Sequence, residues 1–206
     1  MHEKNVMTKG ADVKNATKAL VMIHGRGANA QDIVSLSAYL NVDGYAIFAP
    51  QATGNSWYPY SFLAPEKANE PWLTSAVALV KDVVSDIISS GIDERNIYFL
   101  GFSQGACLAL EYVARYAKRY GGVVAFTGGL IGEQVHEEKY AGDFDGTPVF
   151  IGTSDPDPHV PVHRVRETVD VLKKMNAQVT EKIYLNMGHT INEEEIELAN
   201  EIVFKS

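Results

Sequence analysis

Ile97-Tyr98-Phe99-Leu100-Gly101-Phe102-Ser103-Gln104-Gly105 decides how this chain is read. Four apolar residues run into a Gly-x-Ser-x-Gly turn, and a helical period starts at Gln104. The order is strand, turn, helix, the context in which such a serine becomes a nucleophile. The glycines are physically required. A turn this tight has no room for side chains beside the serine, and its strain projects the hydroxyl outward. The helix starting at Gln104 turns backbone N–H groups and its positive dipole end toward the same point, which suits a developing oxyanion. The plain alternative is a glycine-rich turn in which Ser103 caps the helix.

Working outward, the same alternation recurs. Ala19–Ile23, Tyr45–Ala49, Gly122–Phe126 and Val149–Ile151 are apolar runs, and Val179–Tyr184 is a further expected strand after a helical stretch. Most end in turn residues, and runs apolar on both faces are buried parallel strands. Between them lie helical periods. Val77, Val80, Val84, Ile87 and Ile88 form one stripe at spacings of three and four, with Gly91 as its stop. Further helices are expected over Gln104–Arg119 and Val162–Met175, and from about Asn192, with Glu193–Glu195 in the first turn. Strands alternating with helices give an α/β class with a mainly parallel, twisted sheet covered on both faces. Gln51–Pro71, rich in aromatics and proline, and Gly128–Pro148 fit neither period. Long connections of this kind are often functional, and the second is a candidate flap.

Composition bounds the rest. With 206 residues and 46% hydrophobic side chains, one domain over 1–206 with its own core is expected. The 18 Lys+Arg against 26 Asp+Glu leave −8, which disfavours phosphate backbones and thus nucleic-acid partners. A single cysteine, Cys107, forms no internal disulfide and is expected to pack in the core. The first ten residues lack a signal-peptide stretch, and no run reaches membrane-spanning length, so a cytoplasmic protein is expected. Oligomeric state is not legible, and a homodimer stays open.

A nucleophilic serine needs a base, and the base needs an orienting carboxylate, in chain order Ser, Asp, His. Of six histidines, only His189 follows the final strand, in Met187-Gly188-His189-Thr190. His2 is terminal and expected to be disordered, and His136 lies in a charged surface segment. The acid sits in Gly152-Thr153-Ser154-Asp155-Pro156-Asp157-Pro158, where chemistry alone leaves Asp155 and Asp157 open. His24-Gly25-Arg26-Gly27 ends the first strong strand, so the backbone N–H groups of Arg26 and Gln104 are the expected oxyanion donors. The Arg26 side chain is expected either to hold the loop through a salt bridge or to touch substrate. His24 is read chiefly as a hydrogen bonder that fixes the loop, and is carried with Gly25 as an expected substrate contact.

These pieces resemble the phospholipase/carboxylesterase family of α/β-hydrolases, which includes bacterial carboxylesterases and acyl-protein thioesterases. The similarity rests on His24-Gly25-Arg26-Gly27, Ala49-Pro50-Gln51, Ser56-Trp57-Tyr58, Gly101–Gly105, Asp157-Pro158-His159-Val160-Pro161 and Gly188-His189, in order along nearly the whole chain. In that family the catalytic aspartate opens an Asp-x-x-Val-Pro pattern, which implies Asp157. The resemblance also implies that Trp57 and Tyr58 line the substrate pocket. Arg26 stands where acyl-protein thioesterases carry an apolar residue, which speaks against a long acyl tunnel. Dienelactone hydrolases share the fold but use a cysteine nucleophile, where this chain has Ser103.

The expectation is a serine hydrolase acting on small esters of short to medium acyl chains, without metal or organic cofactor. Long-chain thioesterase or lysophospholipase activity is the alternative. A hydrolase fold used only as a binding module is the competing class. Nucleotide binding is disfavoured, because no Gly-x-Gly-x-x-Gly or Walker lysine is present. His159 and His163 span Pro161 and lack a third ligand at sensible spacing, so a metal site is not expected.

Overall fold

The apolar runs assemble into one seven-stranded sheet in the computed structural model, which describes residues 1–205. The strands are β1 (Val6–Gly10), β2 (Ala19–Ile23), β3 (Ala46–Pro50), β4 (Ile97–Phe102), β5 (Gly122–Phe126), β6 (Pro148–Asp155) and β7 (Gln178–Leu185). Their order is β1-β3-β2-β4-β5-β6-β7. All neighbours pair in parallel except β1, which runs antiparallel to β3. Every residue of β2 and β5 is buried. Hydrophobic runs therefore mark the sheet's centre, as expected where helices cover both faces.

The helices are α1 (Ala30–Ser35), α2 (Glu66–Asn69), α3 (Trp72–Ser89), α4 (Gln104–Arg115), α5 (Val162–Lys174) and α6 (Glu193–Ile202). On α3 the stripe Val77, Val80, Val84 and Ile87 is buried, joined by Val83, whereas Ile88 at its edge is 38% exposed. Gly91 follows the last turn with φ +102°, where a side chain would be strained. The helix expected to reach Arg119 stops at Arg115. Tyr116 leaves helical geometry, and Ala117 bridges to Gly142 instead. Asn192 caps α6 in a reciprocal capping box with Glu195. With helices on this mainly parallel sheet, the architecture is the α/β-hydrolase fold.

β1 has no counterpart among the expected strands. Val6-Met7-Thr8-Lys9-Gly10 lies half-exposed at the sheet edge, so it carries no apolar run to read. His2, just before it, is ordered and not disordered as expected. Its ring packs between Trp57 and Trp72, its Nδ1 accepts from the Thr53 N–H at 3.1 Å, and its Nε2 bonds the Trp57 carbonyl at 2.9 Å.

Both irregular segments are tied down. Within Gln51–Pro71, the buried Asn69 amide accepts from the Tyr60 N–H and donates to the Ser61 carbonyl. Within Gly128–Pro148, the Ile131 N–H donates to the buried Glu111 carboxylate, and the Arg164 guanidinium donates to the Leu130 and Gly132 carbonyls. No residue of this second segment lines the cavity described below.

Candidate active site

Each residue in question leaves the carboxyl end of a strand: the Gly25 loop after β2, Ser103 after β4, Asp157 after β6 and His189 after β7. In an open α/β sheet this is where ligands bind. Ser103 has φ +54° and ψ −119°, a strained conformation for a residue with a side chain, and its N–H donates to the Phe126 carbonyl at 2.9 Å. Glycines make that turn possible. A Cβ on Gly105 would stand 2.1 Å from the Ile23 carbonyl oxygen, and one on Gly101 would stand 2.3 Å from the Gly105 carbonyl. Helix α4 thus starts directly against β2 and β4.

The Ser103 Oγ lies 2.7 Å from His189 Nε2, and His189 Nδ1 lies 2.8 Å from Asp157 Oδ2. A carboxylate only accepts, so Nδ1 carries the proton and Nε2 is free to accept the serine proton. The Asp157 side chain is wholly buried. Its other oxygen accepts the His159 and Val160 N–H groups, both at 2.8 Å, which fixes the carboxylate plane. Asp155 is only the last residue of β6, where its carbonyl accepts the Asn186 N–H. The structure thus places Asp157, and not Asp155, against His189.

The His189 loop is held from below. The Gly188 N–H donates to Ser154 Oγ at 2.9 Å, and the Asn192–Glu195 capping box anchors the following helix. Glu195 is buried, and burial pushes its carboxyl up to about 7, against the Asn192 N–H, which favours the charged form. Between about pH 4.5 and 7 the unfolded chain has released this proton while the folded chain keeps it. Stability therefore falls as pH rises through that window. Denaturant midpoints at pH 5 and 7 are expected to show this fall, and Glu195→Gln is expected to flatten it.

A cavity of about 740 Å³ opens beside Ser103, lined by Tyr58–Leu63, Pro158–Pro161, His189, Arg26, Gln104 and Cys107. Of the four residues expected to meet substrate, only Tyr58 lines it, and three expectations are corrected. His24 is fully buried: its Nδ1 bonds the Gly25 carbonyl at 2.8 Å, and its Nε2 accepts the Ala52 N–H at 3.1 Å. Trp57 is also fully buried, packs on the His24 ring and donates its Nε1–H to the His24 carbonyl. Gly25 is buried, and a Cβ there would meet the Phe102 ring at 3.2 Å, so its bareness lets the loop approach the nucleophile. These three build the loop's floor and do not line the cavity wall.

Arg26 holds the loop, as one of its two expectations had it, but not through a salt bridge. Its guanidinium donates to Ser56 Oγ, and to the Pro59, Tyr58 and Tyr60 carbonyls, at 2.7–2.9 Å. These partners are uncharged oxygens, not the carboxylate of a salt bridge. The Gln104 side chain grips the same loop, accepting from the Trp57 N–H and donating to the Tyr58 carbonyl. The backbone N–H groups of Arg26 and Gln104 themselves donate to no backbone oxygen among the described residues. His159 was unassigned from sequence; its ring stands edge-on to His189 at 4.9 Å.

Cys107 lines the cavity floor but is buried, and burial pushes its thiol up to about 12. At pH 8 its thiolate population is then about a thousandfold below that of an ordinary cysteine. A disulfide reagent such as DTNB is expected to leave the native protein unmodified on the timescale that labels the denatured chain. Fast labelling of the native protein would contradict that burial.

The model of the phospholipase/carboxylesterase family matches residues 5–205. The chain belongs to the phospholipase/carboxylesterase family. A crystal structure of a phospholipase/carboxylesterase from Dyadobacter fermentans is similar to this family member, with 55% identity, a TM-score of 0.98 and coverage of 99% of this chain and 98% of that one. A "Probable carboxylesterase SOBER1-like" of Arabidopsis thaliana is 28% identical over 69% of this family member, and the match spans only 55% of that protein's length. Acyl-protein thioesterase 1 of Saccharomyces cerevisiae is 26% identical over 98% of both chains. Among the described residues, no helix of this family member is long and apolar enough to cross a membrane.

Proposed function

We propose that the protein is a serine carboxylesterase that cleaves esters of short to medium acyl chains through a covalent acyl-enzyme. The observation that carries this is the continuous hydrogen-bond line from Ser103 Oγ through the His189 ring to the buried Asp157 carboxylate. Ser103 Oγ attacks the ester carbonyl carbon as its proton passes to His189 Nε2. Asp157 stays ionised, holds the ring's tautomer and stabilises the imidazolium. The Arg26 and Gln104 N–H groups receive the oxyanion, each contributing on the order of 3 kcal/mol to the transition state. His189 then gives its proton to the leaving alcohol, and later takes one from the water that releases the acid.

The cavity's size supports the substrate class, since small-molecule pockets span roughly 300–1,000 Å³. Its lining offers aromatic and proline surface and no carboxylate. Hydrolysis of p-nitrophenyl esters from acetyl to palmitoyl is expected to peak between acetyl and octanoyl. A maximum at palmitoyl would move the assignment to a long-chain thioesterase or lysophospholipase. The acyl-protein thioesterase relative keeps that second reading in view.

A further inference from the structure

We infer that the Arg26 side chain is a positioning residue for the oxyanion hole. Together with Gln104, it clamps the loop Ser56–Tyr60, so that the oxyanion donors and the acyl-pocket wall form one rigid unit. The inference rests on the esterase reading above and deepens it.

Two residues would supply both donor amides, and both send their side chains to the same five-residue loop. Arg26 makes four bonds to it and Gln104 makes two of 3.0 Å or less. Three loop carbonyls, those of Tyr58, Pro59 and Tyr60, converge on one guanidinium. Carbonyls gathered this closely need a planar, multiply donating cation between them. An ammonium presents three donors on a flexible stem and does not match that fork. The loop's other attachments reach the same backbone. The Gly27 N–H donates to the Asn55 carbonyl at 2.7 Å, and Trp57 Nε1 donates to the His24 carbonyl at 2.8 Å. The peptide carrying the Arg26 amide is thus pinned on one side to the loop that its own side chain holds and on the other to Asn55, the residue just before that loop.

The same geometry argues against Arg26 as a receptor for a substrate carboxylate. All four terminal guanidinium hydrogens point at protein oxygens, and only the Nε–H is left. A bidentate carboxylate would have to break the clamp first.

The experiment compares wild type, Arg26→Met, Arg26→Lys and Ser103→Ala on neutral p-nitrophenyl butyrate and anionic mono-p-nitrophenyl succinate. Inhibition by a short-chain trifluoromethyl ketone, whose adduct places an oxyanion in the hole, is measured alongside. A misplaced donor costs about 10- to 100-fold, given the sensitivity of catalysis to sub-ångström positioning. Arg26→Met is expected to lose that factor in kcat on both esters, with KM within about threefold. Ketone affinity should fall in parallel, and Arg26→Lys should recover little. An unchanged kcat in Arg26→Met beside an inactive Ser103→Ala overturns the inference and leaves the esterase reading standing. So does a loss confined to the succinate ester, or full rescue by lysine, since either makes Arg26 a charge and not a clamp. Full turnover in Ser103→Ala overturns the esterase reading itself.

Discussion

Ser103→Ala is expected to lower kcat on p-nitrophenyl butyrate by roughly 10⁴-fold or more, with the fold unchanged. The size of the effect follows from the chemistry. The hydroxyl is the only atom that forms the acyl bond, and neighbouring donors cannot replace it. The fold should persist because the turn's strain resides in the backbone, at φ +54°, and not in the Oγ. Alanine keeps the Cβ and removes only the hydrogen bond to His189. The check is kcat together with intact-protein mass after a fluorophosphonate probe. Wild type should gain one adduct on Ser103, and the variant none. An adduct elsewhere that tracks the activity would remove Ser103 from its role.

Asp157→Asn is expected to cost about 10⁴ in kcat, whereas Asp155→Asn should stay within a few fold. Asparagine is nearly isosteric, so the His159 and Val160 N–H groups keep an acceptor. If its NH₂ faces His189, it donates where the carboxylate accepted. The ring must then turn its lone pair to that side, and Nε2 becomes a donor that cannot take the serine proton. Asp155 offers no such contrast, since the bond assigned to it uses the backbone carbonyl. Equal losses in the two variants would mean that the segment's charge matters and not its geometry.

What the sequence makes legible depends on the kind of signal each residue leaves. Ser103 was legible because an apolar run marks the strand end before it, and His189 because it alone of six histidines follows the last expected strand. Asp157 was not separable from Asp155 by chemistry, since both carboxylates sit in one proline-rich turn. The resemblance to a family, not the spacing, favoured it. Trp57 and Tyr58 were read alike, and both are buried, yet only Tyr58 borders the cavity. Neighbouring side chains in an irregular loop have no period to sort them. Arg26 misled for another reason. A cation in a sequence invites a search for an anion, while the carbonyls that hold it belong to every residue and leave no trace in composition. β1 was missed because an edge strand need not be apolar on both faces.

The nucleophile and its base stand 86 positions apart in the chain. Their meeting requires β4, β5, β6 and β7 to have stacked in register through three successive parallel pairings, whose partners lie 24, 26 and 30 positions apart, and non-local pairings of this kind slow folding. Returning enzymatic rate after dilution from denaturant therefore times the last stage of self-assembly. Far-ultraviolet dichroism, which registers helices as they appear, is expected to recover sooner, and coincident curves would show that shape and chemistry arrive together. An interval between the two curves would be the lifetime of a chain that already has its shape and not yet its chemistry.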